Sequence, residues 1–291
     1  ACQRGHCVNA AQWVLLVFGT LIAFAVGSFL CVVIERLPVE LDEPNEYGDS
    51  YDSRPWAEVL GGHSRCSSCG EPIKAVDKVP VLSWLVLRGR CRGCGERIPG
   101  FHPVVEFLVP ALFLAAVWVI GMDWRILPVL GLIPAGVALS AIDIRTLIVP
   151  TRIVWPAFGL VVVLSVLSAA VDGQWMWLLT ALVCVASLAG PLFLLWFAMP
   201  RGMGFGDVRL AVLLGWTVGF YGGTEPLAGV ILAVFVLFGA SLLGIVVGVA
   251  ALGARGRKAK VPWGPSLFTA ALLAIALAEP ILDGFGVWSL S

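Results

Sequence analysis

Charge is scarce in this sequence. Only 13% of the 291 residues are Asp, Glu, Lys or Arg, against about 25% in soluble domains, and that shortage excludes an ordinary water-exposed globule. Histidine is almost missing. His6, His63 and His102 are isolated and read as exposed or capping side chains. No HExxH, GxSxG or P-loop pattern occurs, and no GxGxxG follows a strand, so the motif-borne zinc-hydrolase, serine-hydrolase and nucleotide-binding chemistries have no carrier. Acidic residues are also sparse. Outside 35–102 there are eight: Glu106, Asp123, Asp143, Asp172, Asp207, Glu225, Glu279 and Asp283.

What fills the sequence is apolar. Hydrophobic residues make up 59% and the mean hydropathy is +0.94. Apolar runs recur at 13–34, 103–121, 126–142, 153–171, 176–199, 208–220, 227–252 and 262–282. All but the sixth approach the roughly 20 residues that cross a bilayer as a helix. The sixth has 13 residues, about 20 Å of helix. Trp13, Trp118, Trp124, Trp155, Trp175, Trp177 and Trp263 stand near run ends, as interfacial anchors do. The composition predicts an all-α polytopic membrane protein of about eight transmembrane helices.

Lys and Arg are unevenly spread over the connections. Alternating the connections between two sides gives 17 on one and 2 on the other, and still 8 against 2 without the long 36–97 loop. Positive residues mark the cytoplasmic side. This predicts that the 36–102 loop, Asp143, the "GFGD" stretch and "RGRKAK" are cytoplasmic and both termini are outside. The short sixth run must then be a true crossing. The first run, from Trp13, lacks a small-residue cleavage site after it and reads as a retained helix rather than a signal peptide.

Residues 35–102 form the one sizeable polar region. Its first part, "VELDEPNEYGDSYDSRP", lacks apolar periodicity and reads as a loop. Then Cys66-x2-Cys69 and Cys91-x2-Cys94, each followed by glycine, stand 21 residues apart. Four thiolates at that spacing can close a tetrahedral zinc site, with each glycine permitting the turn past its second cysteine. Such a closed set keeps no open position for water, so the metal is expected to be structural. Two disulfides are the other arrangement, disfavoured in a reducing cytoplasm. Cys31 and Cys184 fall in apolar runs and read as packing residues, while Cys2 and Cys7 could pair on the outer side.

Five of the eight acidic residues outside this region fall in or beside outer connections, where water solvates them. Asp143, in "LSAIDIRTLIVP", and Asp207, in "MPRGMGFGDVRLAVLLGW", do not. The predicted topology brings both to the same face and depth although they are 64 residues apart. Two carboxylates in a poorly solvated site cannot both ionise cheaply, so one serves as general acid and the other as base. That pair can hydrolyse a peptide bond. The structural alternative is that each merely pairs with a nearby arginine, Arg145 or Arg209. Gly204 and Gly206 favour the first reading by allowing close approach to Asp207. The "GFGD" turn is expected to dip into the protein at membrane depth. Glu106, in "HPVVEFLVP", either caps a helix or lines a site.

Taken in order, the blocks "GSFLCVVIERLP" (27–38), "RCSSCGEPI…VPVLSWLVLRGRCRGCG" with "HPVVEFL", "AIDIRTLIVP" (141–150), "GFGDVRLAVLLGW" (204–216) and "VPWGPSLF" (261–268) resemble the prepilin peptidase (type IV leader peptidase) family of membrane GxGD aspartic proteases. The resemblance runs from about 27 to 270. It implies that Asp143 and Asp207 are the catalytic dyad. It also implies removal of the short basic leader of prepilins and pseudopilins just before their apolar helix, at the bacterial cytoplasmic (inner) membrane. Members commonly also N-methylate the new N-terminus with S-adenosylmethionine, whose site here stays unassigned. Three positions depart from the family pattern: Cys31 stands in place of asparagine, Glu35 in place of His or Tyr, and "AVDKVPV" in place of Asp-Asn-Ile-Pro.

The organisation expected is an N-terminal helix within 1–34, a cytoplasmic four-cysteine zinc loop over 35–102 and a seven-helix membrane domain over 103–291. The expected partners are prepilin substrates and the lipid bilayer, and no nucleic acid. A presenilin-like protease is disfavoured by the CxxC loop and by the lack of a PAL motif before the last helix. A transporter using Asp143 and Asp207 as ion or proton ligands is the alternative from another class. It is disfavoured because transporters place such residues near the midplane of repeated halves.

Overall fold

A computed structural model describes residues 10–37, 55–62, 64–66, 68–200, 203–255 and 262–287. Cys2, Cys7, His6, His63, nearly all of the acidic stretch and most of "RGRKAK" lie outside the described residues. Among the described residues the fold is helical and has no β-strand, only two isolated bridges. Each apolar run forms a helix: α1 (Ala10–Arg36), α4 (Phe101–Ile120), α5 (Ile126–Thr146), α6 (Thr151–Asp172), α7 (Met176–Ala198), α8 (Phe205–Tyr221), α9 (Pro226–Arg255) and a last run. Two short helices, α2 (Trp56–Leu60) and α3 (Leu82–Val86), lie in the polar region. Six of the long helices are long and apolar enough to cross a membrane.

The last run differs from the single helix expected. It is α10 (Gly264–Ala276) followed by α11 (Ala278–Gly284), bent by 70°. Pro280 explains the break. It has no N–H to give the Ala276 carbonyl, and its ring would clash with that carbonyl in a continuous helix. Counted as one broken span it makes a seventh. The 17-residue α8, about 25 Å long, completes the set of about eight.

The chain divides into two compact units, Ala1–Ala115 and Ala116–Ser291. In the first, α1 and α4 approach closely. A Cβ on Gly27 would stand 3.0 Å from the Glu106 Cα, so any larger residue there would push the two helices apart by a few tenths of an ångström. The polar region is folded around two matching turns, "RCSSCGEPI" and "RCRGCGERI". In each, the first cysteine's N–H bonds the following glutamate carbonyl (Cys66 to Glu71, 3.0 Å; Cys91 to Glu96, 2.8 Å). In each, the glycine N–H returns to the first cysteine's carbonyl (Gly70 to Cys66, Gly95 to Cys91). Gly70 and Gly95 sit at φ +71 and +73, the left-handed region that glycine enters without a Cβ penalty.

The second unit is built around α8, which packs on α5, α6, α7, α9 and α10. Every residue from Leu213 to Tyr221 is buried, which is how a helix apolar on all sides is accommodated. Small residues allow the closest contact, against α7. A Cβ on Gly219 would meet the Ala181 Cα at 2.7 Å, and one on Gly215 would meet the Val185 Cα at 3.1 Å. Helices in a bilayer gain little from burying apolar surface against one another, so close backbone packing at small residues supplies the association. Cys184 is fully buried at this seam, the packing role expected of it. One polar contact is enclosed as well: Trp216 Nε1 donates to Ser165 Oγ of α6 at 3.1 Å.

Candidate active site and metal centre

Asp143 lies in the last turn of α5 and Asp207 in the first turn of α8. The α5 helix stops where Leu147 turns left-handed (φ 60, ψ 32), its N–H returning to the Asp143 carbonyl at 2.8 Å. The next residues, Ile148–Val149–Pro150, lead into α6. They pass directly beside α8, where a Cβ on Gly206 would stand 2.8 Å from Val149 Cβ. Thus the "IVP" that follows Asp143 and the "GFG" that precedes Asp207 are packed together. That packing brings the end of α5, with Asp143, beside the start of α8, with Asp207.

Their surroundings differ. Asp143 is buried, 4% exposed, and its Oδ2 accepts the Gly264 N–H at 2.8 Å. Gly264 opens α10, so its amide is one of the first-turn donors that no carbonyl of its own helix can reach. Asp207 is half-buried at the α8 N-terminus, where the first-turn N–H groups favour a negative side chain. Arg209 donates to the Thr151 hydroxyl and lies 4.7 Å over the Phe205 ring, so its guanidinium is spent tying the start of α8 to the start of α6.

The "GFGD" stretch is not the irregular dip expected. Gly204 is an extended N-cap (φ −73, ψ 139), and Phe205, Gly206 and Asp207 already belong to the helix. Neither glycine has a positive φ. Gly206 is required for space beside Val149, not for backbone freedom. Among the described residues, a Cβ on Gly204 would meet nothing nearer than Asp207 Oδ2 at 3.8 Å.

In the first unit the four cysteines converge. Their sulfurs all lie within 4.8 Å of one another, Cys66 and Cys94 at 3.8 Å, and all four are free of disulfides. A tetrahedral metal with bonds of about 2.3 Å to sulfur has sulfur–sulfur edges of about 3.8 Å, so the set fits a metal ion. The N–H groups of Cys69 and Ser68 pull the Cys66 thiol down to about 6. Cys94, although the Glu96 N–H lowers it, is pushed up to about 12 by desolvation and the neighbouring sulfurs. One sulfur of the set is therefore a thiolate at neutral pH before any metal arrives.

Three residues make contacts that the sequence did not specify. His102 is not isolated: its Nε2 is 2.9 Å from Glu35 Oε1. Glu106 meets the end of another helix and lines a cavity: its Oε2 accepts the N–H of Val81, the N-cap residue of α3, at 2.7 Å, with Val81 at φ 59, where a β-branched residue is strained. Gly264 was quoted only as part of the last block, and nothing in one sequence tells that its amide meets a carboxylate 121 residues earlier. The Trp-Gly-Pro opening of an apolar run marks a helix start, and that is the one local signal it has.

Comparison with known proteins shows the family. Residues 21–120 match the family described as bacterial peptidase A24 N-terminal domain, and residues 129–249 match the type IV leader peptidase family. The chain is similar to a "Prepilin leader peptidase/N-methyltransferase" of Aeromonas hydrophila, 30% identical over 94% of both chains. Proteins of the same description from Burkholderia pseudomallei (33%, covering 91% of this chain and 86% of that one) and Pseudomonas putida (33%, 91% and 92%) are similar to it too. No solved structure matches.

Proposed function

The chain belongs to the type IV leader peptidase family, and from that premise we propose that Asp143 and Asp207 are the dyad with which it removes the leader of prepilins and pseudopilins. The observation that carries this is the packing of the segment that follows Asp143 at the end of α5 against Gly206, next to Asp207 at the start of α8. With one proton between them, the ionised carboxylate takes a proton from water as that water attacks the scissile carbonyl carbon. The protonated partner stabilises the forming oxyanion by donating to it. Collapse of the tetrahedral intermediate breaks the C–N bond, and the leaving nitrogen receives a proton from the dyad. The Gly264 amide fixes one oxygen of Asp143 through these steps. The charge bias puts the dyad and the cysteine turns on the cytoplasmic side, where an apolar substrate helix begins. The transporter alternative gains no support from the family or its relatives.

The test is to incubate the detergent-purified chain with a prepilin and read product masses. A product lacking the leader supports the reading, and an intact prepilin after prolonged incubation rejects it. The second activity is methyl transfer to the new N-terminal amine with S-adenosylmethionine as the donor of the methyl group. A product heavier by one further methylene unit reports it.

Cys66, Cys69, Cys91 and Cys94 hold a structural zinc in this reading, since four thiolates occupy every position of a tetrahedron. Ligation requires deprotonated sulfur. Because the Cys66 pKa is depressed to about 6, its thiolate is present at neutral pH and lost as pH falls through that value. Metal uptake is therefore expected to hold at neutral pH and to weaken on acidification below about 6. Cys66→Ser is expected to leave less than one zinc per chain by atomic absorption and to expose 64–98 to proteolysis. Undiminished metal content in that variant would reject the four-sulfur site.

A further inference from the structure

The polar region of the first unit carries an apolar strip on its surface. Val76, Val79, Leu82, Leu85 and Val86 are all exposed, Leu82 by 61% and Val86 by 76%. Those values match Val104 (61%) and Phe107 (60%) on α4, a helix long and apolar enough to cross a membrane. A contiguous apolar surface of this kind marks an interaction site.

The strip follows from local geometry. Val76 and Val79 stand three residues apart at a 3-10 turn over Ala75–Lys78, where that spacing puts side chains in line. Leu82, Leu85 and Val86 share one face of α3. The other side of α3 is turned inward. Trp84 Nε1 donates to the Ile98 carbonyl at 3.5 Å, and its ring closes over Gly89, where a Cβ would stand 2.8 Å from it.

We propose that this strip is a membrane-surface anchor, seated among the headgroups and upper acyl chains of a leaflet that contains anionic phospholipid. Two observations select that partner. The first is position. Glu106, in the second turn of α4, holds the Val81 N–H, so the start of α3 is tied to the end of a membrane-type helix, close in sequence to its exposed Val104 and Phe107. The second is charge. Residues 73–98 contain six Lys and Arg against two acidic residues, and one of the two, Asp77, is taken up by a two-point ion pair with Arg92 (2.6 and 2.9 Å). Lys74 and Lys78 stand at one end of the strip and Arg88 and Arg90 at the other, all exposed. An apolar face flanked by cations is the pattern of segments that lie in an anionic interface. A second copy of this chain or an apolar substrate helix could cover the strip, but neither calls for cations at both ends of it. The anchor would hold the cysteine turns against the bilayer surface.

The experiment is photolabelling of the zinc-loaded chain in vesicles of phosphatidylethanolamine and phosphatidylglycerol, roughly 3:1, that carry a phospholipid with a diazirine near the top of its acyl chain. Labelled peptides are mapped by mass spectrometry, and the α4 peptide with Phe107 serves as the internal control. Lipid is expected on peptides within 73–90 as well as on α4. Replacing phosphatidylglycerol by phosphatidylcholine is expected to lower the 73–90 label about threefold or more and to leave α4 unchanged. Leu82→Ser, Leu85→Ser and Val86→Ser together should lower it similarly, with undiminished zinc content showing that the turns still fold. Label on α4 with none on 73–90 in wild type would overturn the anchor and mark the strip as a seat for protein or as plain solvent-facing surface. Equal 73–90 label in the neutral vesicles would overturn the requirement for anionic lipid.

Discussion

Asp143→Asn and Asp207→Asn are each expected to lower leader removal by roughly 10²–10⁴-fold, the range that one positioned acid or base supplies. Asparagine keeps the size of the side chain and an oxygen that can accept from the Gly264 amide, so the α5–α10 contact survives in the first variant. Neither amide can take a proton from water or hold one for the leaving nitrogen. The measurement is leader loss by mass spectrometry, with zinc content and thermal unfolding as fold controls. A structural role for either aspartate would instead give a chain that unfolds at lower temperature and cleaves in proportion to its folded fraction. Wild-type rates in either variant would end the dyad assignment.

The second large effect is expected from a residue that carries no ionisable group. In Gly264→Ala the new Cβ would stand 2.8 Å from Asp143 Oδ2 and 3.4 Å from its Cγ, with both residues buried. Either the carboxylate swings away or α10 backs off, and the 2.8 Å hydrogen bond lengthens or breaks in both cases. Losing a hydrogen bond to a charged group costs about 1.5–3 kcal/mol, which corresponds to about 10- to 150-fold in rate if it is made fully in the transition state. The loss should fall on kcat, with KM for prepilin little changed, because the contact positions a reacting group and does not hold substrate. Gly159→Ala, whose Cβ would meet nothing within 4 Å among the described residues, is the matched helix control and should cleave normally. A Gly264→Ala protein with wild-type kcat would show that this amide does not position Asp143.

Much of this was legible in the residues. The helix positions follow from apolar runs, because in a bilayer a helix satisfies its own backbone and only its side chains meet lipid. The metal site follows from spacing, since a CxxCG turn brings its two sulfurs together by local backbone geometry alone. Asp143 and Asp207 stood out because ionisable side chains at helix ends are few in so apolar a chain.

Other features depend on contacts between distant segments, and those the sequence could not disclose. The role of Gly206 is decided by Val149, 57 residues earlier, and that of Gly264 by Asp143. A helical glycine needed for space and one needed for a positive φ look alike when written as letters. Glu35 with His102 and Glu106 with Val81 are likewise pairings across the fold of the first unit. The sequence by itself determined the helical membrane architecture, the four-sulfur set and the two aspartates, all properties of local hydropathy, spacing and charge. Only the tertiary structure decided that α8 is enclosed, that one amide holds Asp143 and that a cavity opens beside the cysteine turns. Those are matters of which surfaces meet, and packing is set by shape complementarity among segments remote in the chain.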